Sequence, residues 1–147
     1  MIVTYEPTDG AAERVSTHDL SAIESAGIEE AMGISWREVE ERLRSQDPTA
    51  MRAVLWAVRK RDQPDLPFAT FDVPGWRRRL KARIERAEID DVLDNILAEA
   101  LATSEDAAID AMLPHLRKLA EDRADVDAAL DSLGKGHLAK GPQVSED

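Results

Sequence analysis

The sequence contains no cysteine among its 147 residues. This absence excludes a disulfide framework, a thiolate metal site and a thiol nucleophile. Apolar runs are also short, and none approaches the roughly eighteen residues that a transmembrane helix needs. The first ten residues lack the basic and apolar order of an export signal. We therefore expect a cytoplasmic protein that has no contact with a membrane.

Signatures of catalysis are missing too. His18, His115 and His137 lie far apart, and none has a second histidine about three to five residues away. The glycines follow neither of the common phosphate-binding patterns, and the acidic pairs fall on solvated helix faces or caps. The expectation is a protein with no catalytic residue, no cofactor and no metal, and therefore not an enzyme.

Charge is distributed unevenly along a chain whose net charge is −11. Residues 1–48 carry a net charge of −7, residues 49–86 carry +6 and residues 87–147 carry −10. An acidic protein is disfavoured as a general binder of nucleic acid, because such binding depends on neutralising phosphates. The basic middle segment is expected to pair with the acidic ends of the chain or with an acidic partner.

The stretch from Pro48 to Arg61 predicts a central buried helix. Asp47 is a favourable N-cap and Pro48 suits the first helical position. Between residues 50 and 58 only Arg52 is polar, so protein should surround most of the helix. Pro64 and Pro67 prevent its continuation.

The N-terminal part predicts a short β-hairpin over Ile2–Ser16, with Asp9-Gly10 in its turn. Ser16 and Asp19 have the spacing of a capping box, which predicts that a helix starts there. The inner stripe of this helix contains Leu20, Ile23, Gly27 and Ala31, its end is Gly33, and a second capping box at Ser35 opens the next helix.

Beyond the central helix, the apolar spacing predicts a helix from about Pro74, with Trp76, Leu80 and Ile84 on its inner face. Further helices should follow up to Leu133. The expected fold is mainly α, a bundle of about five to six helices with an N-terminal β-hairpin and a disordered C-terminal tail. We divide it into a core of residues 1–73, a helical part of 74–133 and a flexible tail of 134–147.

Trp56 and the basic segment Arg77–Arg86 each allow more than one interpretation. Trp56 either seals a core cluster with Trp36 and Phe68 or, being flanked by arginines, anchors a partner. The segment Arg77–Arg86 is either a solvated basic face paired with the protein's own acidic helices or a binding site for an acidic helical partner.

The N-terminal half begins with a short β segment, which is followed by a helix that ends in glycine. A core helix that ends in basic residues comes next, and a short acidic and aromatic connection completes this layout. The stretches that carry it are DLSAIE at 19–24, MGISWREV at 32–39, AVLWAVRKR at 53–61, LPF at 66–68 and FD at 71–72. In this layout, residues 1–73 resemble the tail assembly chaperones of long-tailed bacteriophages and prophages. The basic segment Arg77–Arg86 departs from the pattern of that family.

The resemblance implies a non-enzymatic protein that binds the long helical tape measure protein and keeps it soluble during tail assembly, in the host cell cytoplasm. The apolar stripe between Ile89 and Leu101 is the expected client surface. The residues expected to contact a partner are Trp56, Arg52, Arg59, Arg77, Arg78, Leu93, Ile96 and Leu97.

Two alternatives remain open at this point. One is a helical DNA-binding or regulatory module in which the basic segment Arg77–Arg86 follows phosphates. The other is a structural component that polymerises through the same surfaces, so a homo-oligomer also belongs to the expected partners.

Overall fold

A computed structural model describes residues 1–103 and 107–139 of the chain. The fold is mainly helical with a short antiparallel hairpin at its N-terminus, which confirms the predicted fold class. The chain divides into two compact units, Met1–Arg83 and Ile84–Asp147. None of the helices in the two described ranges has the combination of length and hydropathy that a bilayer-spanning segment requires.

The first unit contains a three-stranded antiparallel sheet with the order β2-β1-β3. The strands are β1 (Ile2–Tyr5), β2 (Glu13–Ser16) and β3 (Leu80–Arg83). Val3, in the central strand, lies opposite Val15 on one side and Ala82 on the other. The predicted hairpin of β1 and β2 is confirmed, whereas the third strand comes from a distant part of the chain that was predicted to be helical.

The prediction of a helix from about Pro74 is wrong. In its place α4 (Trp76–Arg79) is a single turn, and β3 follows it directly. Leu80 and Ala82 are buried while Lys81 between them is exposed, which is the two-residue period of a strand. Pairing with β1 satisfies backbone groups that would otherwise be an open sheet edge. The first unit therefore ends after Arg83 rather than at residue 73.

The first α-helix, α1 (Ala22–Met32), begins later than predicted. Ser16 caps a short 3-10 turn, and the capping box belongs to Ser21 and Glu24. The Glu24 amide donates to Ser21 Oγ (3.1 Å) and the Ser21 amide donates to Glu24 Oε2 (2.8 Å). Gly33 ends the helix in the left-handed conformation, with φ of 69°, as predicted.

After α2 (Trp36–Arg44), α3 (Pro48–Arg59) is the buried helix that the sequence predicts. Asp47 Oδ1 accepts hydrogen bonds from the amides of Thr49 (2.7 Å) and Ala50 (3.3 Å). The helix packs against α1, α2 and the sheet. Each large apolar side chain buried there contributes about 1.5–3 kcal/mol. The buried residues of α3 are Ala50, Met51, Ala53, Val54, Leu55, Trp56 and Ala57.

Gln46, between α2 and α3, covers the outer edge of β3 with its side-chain amide. Its Nε2 donates to the carbonyl of Ala82 (2.8 Å), and its Oε1 accepts from the amide of the same residue (3.0 Å). The side chain thus takes the place of a neighbouring strand and protects the edge from further pairing. Gln46 has a φ of 62°, a left-handed conformation that is uncommon outside glycine.

Replacing Gln46 with alanine should lower the free energy of unfolding by about 2 kcal/mol, because the amide of buried Ala82 loses its partner and the Ala82 carbonyl keeps only its bond from Arg83. Gln46→Gly should cost about 1 kcal/mol less than Gln46→Ala, since glycine adopts a positive φ without strain. Urea unfolding followed by circular dichroism measures both. An alanine variant as stable as the wild type would contradict the role of the edge bonds.

In residues 84–103 and 107–139, the described part of the second unit, the chain forms three helices. They are α5 (Arg86–Thr103), α6 (Ala107–Leu119) and α7 (Arg123–Ala139). Ile84 precedes them in a parallel bridge: its amide donates to the carbonyl of Leu119 (2.9 Å), and its carbonyl accepts from the amide of Glu121 (3.0 Å). The buried side chains of these helices are Ile89, Leu93, Leu116, Val126 and Ala129.

The last helix is longer than predicted. The sequence predicts an end at Leu133, but the backbone remains helical through Gly134 to Ala139. A glycine inside a helix costs about 1 kcal/mol relative to alanine, but it does not by itself end the helix. Residues 140–147 of the predicted tail lie outside the described residues, and so do residues 104–106.

Candidate functional site

Arg52, which we predicted to contact a partner, binds the protein's own connecting loop. Its guanidinium donates from one nitrogen to the carbonyls of Phe68 (2.6 Å) and Phe71 (2.8 Å). The guanidinium carbon also lies 3.9 Å from the centre of the Phe68 ring, a cation–π contact. Arg52 therefore fastens the loop after α3 to the helix and has a structural role.

Trp56 is one of the buried residues of α3. Its side chain is 7% exposed, and its indole nitrogen donates to the carbonyl of Leu66 (2.8 Å). Its ring centre lies 5.2 Å from that of Phe68, as the core interpretation predicts. Trp36 is half-buried, and within the described part of the chain it forms no aromatic pair with Trp56.

Trp56→Ala should lower the free energy of unfolding by about 3–5 kcal/mol, because it leaves a cavity between α3 and the loop. Trp56→Phe is the matched control: it keeps a ring in the core but loses the indole hydrogen bond, so it should cost about 1 kcal/mol. Chemical denaturation measures both variants. If Trp56→Ala has the same free energy of unfolding as the wild type, Trp56 is not part of the core.

Arg59 forms a bidentate ion pair with Glu13 of β2. Its Nε lies 2.6 Å from Glu13 Oε1, and its second nitrogen lies 2.7 Å from Oε2. The Glu13 carboxylate raises the pKa of the Arg59 guanidinium above its ordinary value. The pair links α3 to the sheet, so the third predicted partner residue on this helix also acts within the fold.

On α5 the predicted client stripe is only partly accessible. Leu93 is completely buried in the second unit, so its side chain is not available to a partner in this conformation. Ile96 and Leu97 are half-buried. Because these side chains are wholly or partly buried, α5 is a less suitable surface for binding a client than the sequence predicts.

Arg77 and Arg78 are the two predicted partner residues that lie in α4. Both are exposed, and neither has an acidic partner among the described residues. The interpretation as an internally paired basic face fails for these two arginines. Trp76 beside them, predicted to face inward, is 38% exposed, and the Arg77 guanidinium lies 5.4 Å from its ring centre.

The other arginines of the basic segment bond within their own unit. Arg79 donates to the carbonyl of Glu6 (3.1 Å), and Arg83 donates to the carbonyl of Ala82 (2.8 Å). Arg86 pairs with Asp90 at 3.1 Å. The predicted continuous basic face is therefore reduced to the turn that carries Arg77 and Arg78, with exposed Lys81 on the strand that follows.

An apolar groove between α1 and α3 was missed by the sequence analysis. Ile23, expected on the inner stripe of α1, is instead 85% exposed at the edge of this groove, and Ile28 is the buried residue of α1. The groove has a volume of about 180 Å³. A Cβ atom at Gly27 would meet nothing within 4 Å, so the glycine leaves the groove open. Its lining consists of Ile23, Glu24, Gly27, Trp56, Ala57, Lys60 and Arg61.

A charged pair borders the groove. Arg61 Nε lies 2.6 Å from Glu24 Oε1, and a second guanidinium nitrogen lies 3.0 Å from Oε2. The hydrogen bond from Arg61 is the main cause that lowers the pKa of Glu24 from 4.5 to about 2, assisted by the amide of Ser21. Both groups therefore stay charged at neutral pH and give the groove a polar rim.

Acid should weaken the fold through this pair. Because the pKa of Glu24 is lower in the folded than in the unfolded protein, the pair stabilises the fold above pH 4.5, and this contribution is lost as the pH falls towards 2. We expect about 1 kcal/mol, because the Arg61 side chain is half exposed and screened by solvent. Thermal unfolding across this range measures it.

Glu24→Gln isolates the charge, because glutamine can still complete the capping box. Both Glu24→Gln and Arg61→Gln should show a smaller loss of stability on acidification than the wild type. A Glu24→Gln variant with the full acid sensitivity of the wild type would show that other groups are responsible.

Comparisons with models of protein families, with curated proteins and with solved structures find no match for this chain. Its function has to be inferred from its own surfaces. The described part of the first unit offers two of them: the groove at Ile23 and the exposed turn at Trp76.

Proposed function

We propose that this protein is a tail assembly chaperone of a long-tailed bacteriophage or prophage. It binds an apolar helical segment of the tape measure protein and keeps that protein soluble in the host cytoplasm, without catalysing a reaction. The proposal is supported by the resemblance of residues 1–73 to that family and by the groove between α1 and α3.

The single observation that carries the proposal is the position of Ile23. A large aliphatic side chain that is 85% exposed stands beside an apolar groove whose wall includes Ala57 and the buried Trp56. A helix that inserts one apolar side chain between them removes this surface from water, and full burial of an isoleucine is worth about 1.5–3 kcal/mol. The charged pair at the rim supplies the polar border typical of protein interfaces.

Net charge supports the same role. A chaperone has to keep a complex with an aggregation-prone chain dispersed, and a net charge of −11 opposes the association of complexes with one another. Most of this charge lies in residues 84–147, which carry 16 acidic and 6 basic side chains. The first unit, with its groove, is nearly neutral and repels an acidic client less.

The helical DNA-binding alternative has less support. Its basic segment does not form one helix, and three of its five arginines bond within the protein. Recognition through phosphates depends on several cations along one surface.

Gly27→Leu tests the proposal by filling the groove. The variant should fold at least as stably as the wild type, because leucine favours a helix by up to about 1 kcal/mol over glycine and its Cβ has open space. Co-expressed tape measure protein of the same genome should then move from the soluble to the insoluble fraction.

Gly27→Ala is the matched control, since it has the same effect on the helix but leaves most of the groove open. It should preserve the solubility of the client. If the tape measure protein is equally soluble with and without the wild-type protein, the proposed function is wrong. If Gly27→Leu protects the client as well as the wild type does, the groove is not the binding site.

A further inference from the structure

Trp76, Arg77 and Arg78 form an exposed turn, and its two arginines have no acidic partner among the described residues. Ion pairs within the first unit engage other arginines, among them those of Arg37–Glu41, Arg42–Asp47, Arg59–Glu13 and Arg61–Glu24. Carboxylates are abundant in this unit, because residues 1–83 contain 14 Asp and Glu side chains and 13 Lys and Arg side chains. The two arginines are accessible although acidic groups are abundant in their own unit.

The turn is held in place by backbone bonds. The amides of Arg78 and Arg79 both donate to the carbonyl of Gly75 (3.1 and 3.2 Å), and the amide of Glu6 donates to the carbonyl of Arg79 (3.1 Å). Tyr5 adds a bond from its hydroxyl to the carbonyl of Pro74 (2.8 Å). Little backbone freedom is therefore lost when a ligand binds, which favours binding to this turn.

A cavity of about 190 Å³ opens next to the indole of Trp76. Its lining includes Val73 and Leu80, each 4% exposed, and Pro48 at the start of α3. The lining also includes Thr49, Arg52 and Asp72, and Trp76 connects the cavity to the exposed turn that carries Arg77 and Arg78. This combination suits a ligand that carries an apolar side chain between acidic ones.

We propose that the Trp76 turn and its cavity form a docking site for a short acidic peptide segment, with one aliphatic side chain in the cavity and flanking carboxylates on Arg77 and Arg78. Guanidinium groups bind carboxylates through charge-assisted hydrogen bonds. The occupant is a partner's peptide segment rather than its folded surface, since the cavity takes a single side chain. This site is separate from the groove at Ile23 and does not depend on the chaperone function.

Nucleic acid fits the same surface less well. The Arg77 guanidinium already lies over one face of the Trp76 ring, which reduces the face available for a stacked base. A polyanion that extends beyond the turn also meets a protein with a net charge of −11, whereas a short peptide places its charges on the two arginines alone.

The test uses the full-length protein and a fluorescein-labelled synthetic peptide with two glutamates on each side of a leucine. Fluorescence anisotropy gives the affinity at low and at physiological salt. The double variant Arg77→Gln, Arg78→Gln should bind at least about tenfold more weakly. A peptide with alanine in place of leucine should also bind about tenfold more weakly, because the cavity stays empty.

The matched control is the double variant Arg37→Gln, Arg44→Gln, which removes the same charge from exposed positions on α2. It should bind the peptide like the wild type. An equal loss in both double variants would mean general charge attraction and would overturn the site. So would tighter binding of a single-stranded oligonucleotide of equal charge, or an alanine peptide that binds like the leucine peptide.

Discussion

The burial of α3 is the constraint on which the first unit depends. Alanines at positions 50, 53 and 57 leave room for neighbouring backbones to approach, and the larger residues between them fill the core. A helix surrounded in this way has little free perimeter. Its polar side chains are therefore used to attach the segments around it: Arg52 holds the loop after the helix, and Arg59 holds β2.

Local hydrogen bonding explains which parts of the fold were predictable. The cap of α3 at Asp47, the capping box of Ser35 with Glu38 and the left-handed end at Gly33 all depend on residues within a few positions of one another. The sequence displays such contacts directly. β3 and the Gln46 amide that covers its edge depend on partners about 36 to 80 residues away, and the local spacing of Trp76, Leu80 and Ile84 favoured a helix there.

The candidate site was harder to predict for the same reason. Tryptophan flanked by arginine has the composition of an interface, but the sequence does not reveal that Arg52 finds carbonyls 16 and 19 residues away. Ile23 was placed on the wrong face because α1 begins at Ala22 after a separate turn, so Leu20 does not set its phase. Gly27 was the available signal: a glycine on an apolar stripe marks either a close approach or a gap, and here it marks a gap.

The two exposed surfaces of the first unit lie at opposite ends of the same helix. The groove is lined by residues at and just beyond the C-terminal end of α3, between Trp56 and Arg61, and the Trp76 cavity by residues at its N-terminal end, between Pro48 and Arg52. At 1.5 Å per residue these ends are on the order of 15 Å apart, a distance that a client segment of modest length spans. Each surface is small, so each should bind weakly alone. A client that engages both turns its second contact into an intramolecular one, and its affinity then exceeds that of either contact without any rearrangement of the buried helix. The rigidity of α3 would thus set the spacing that such a client has to match.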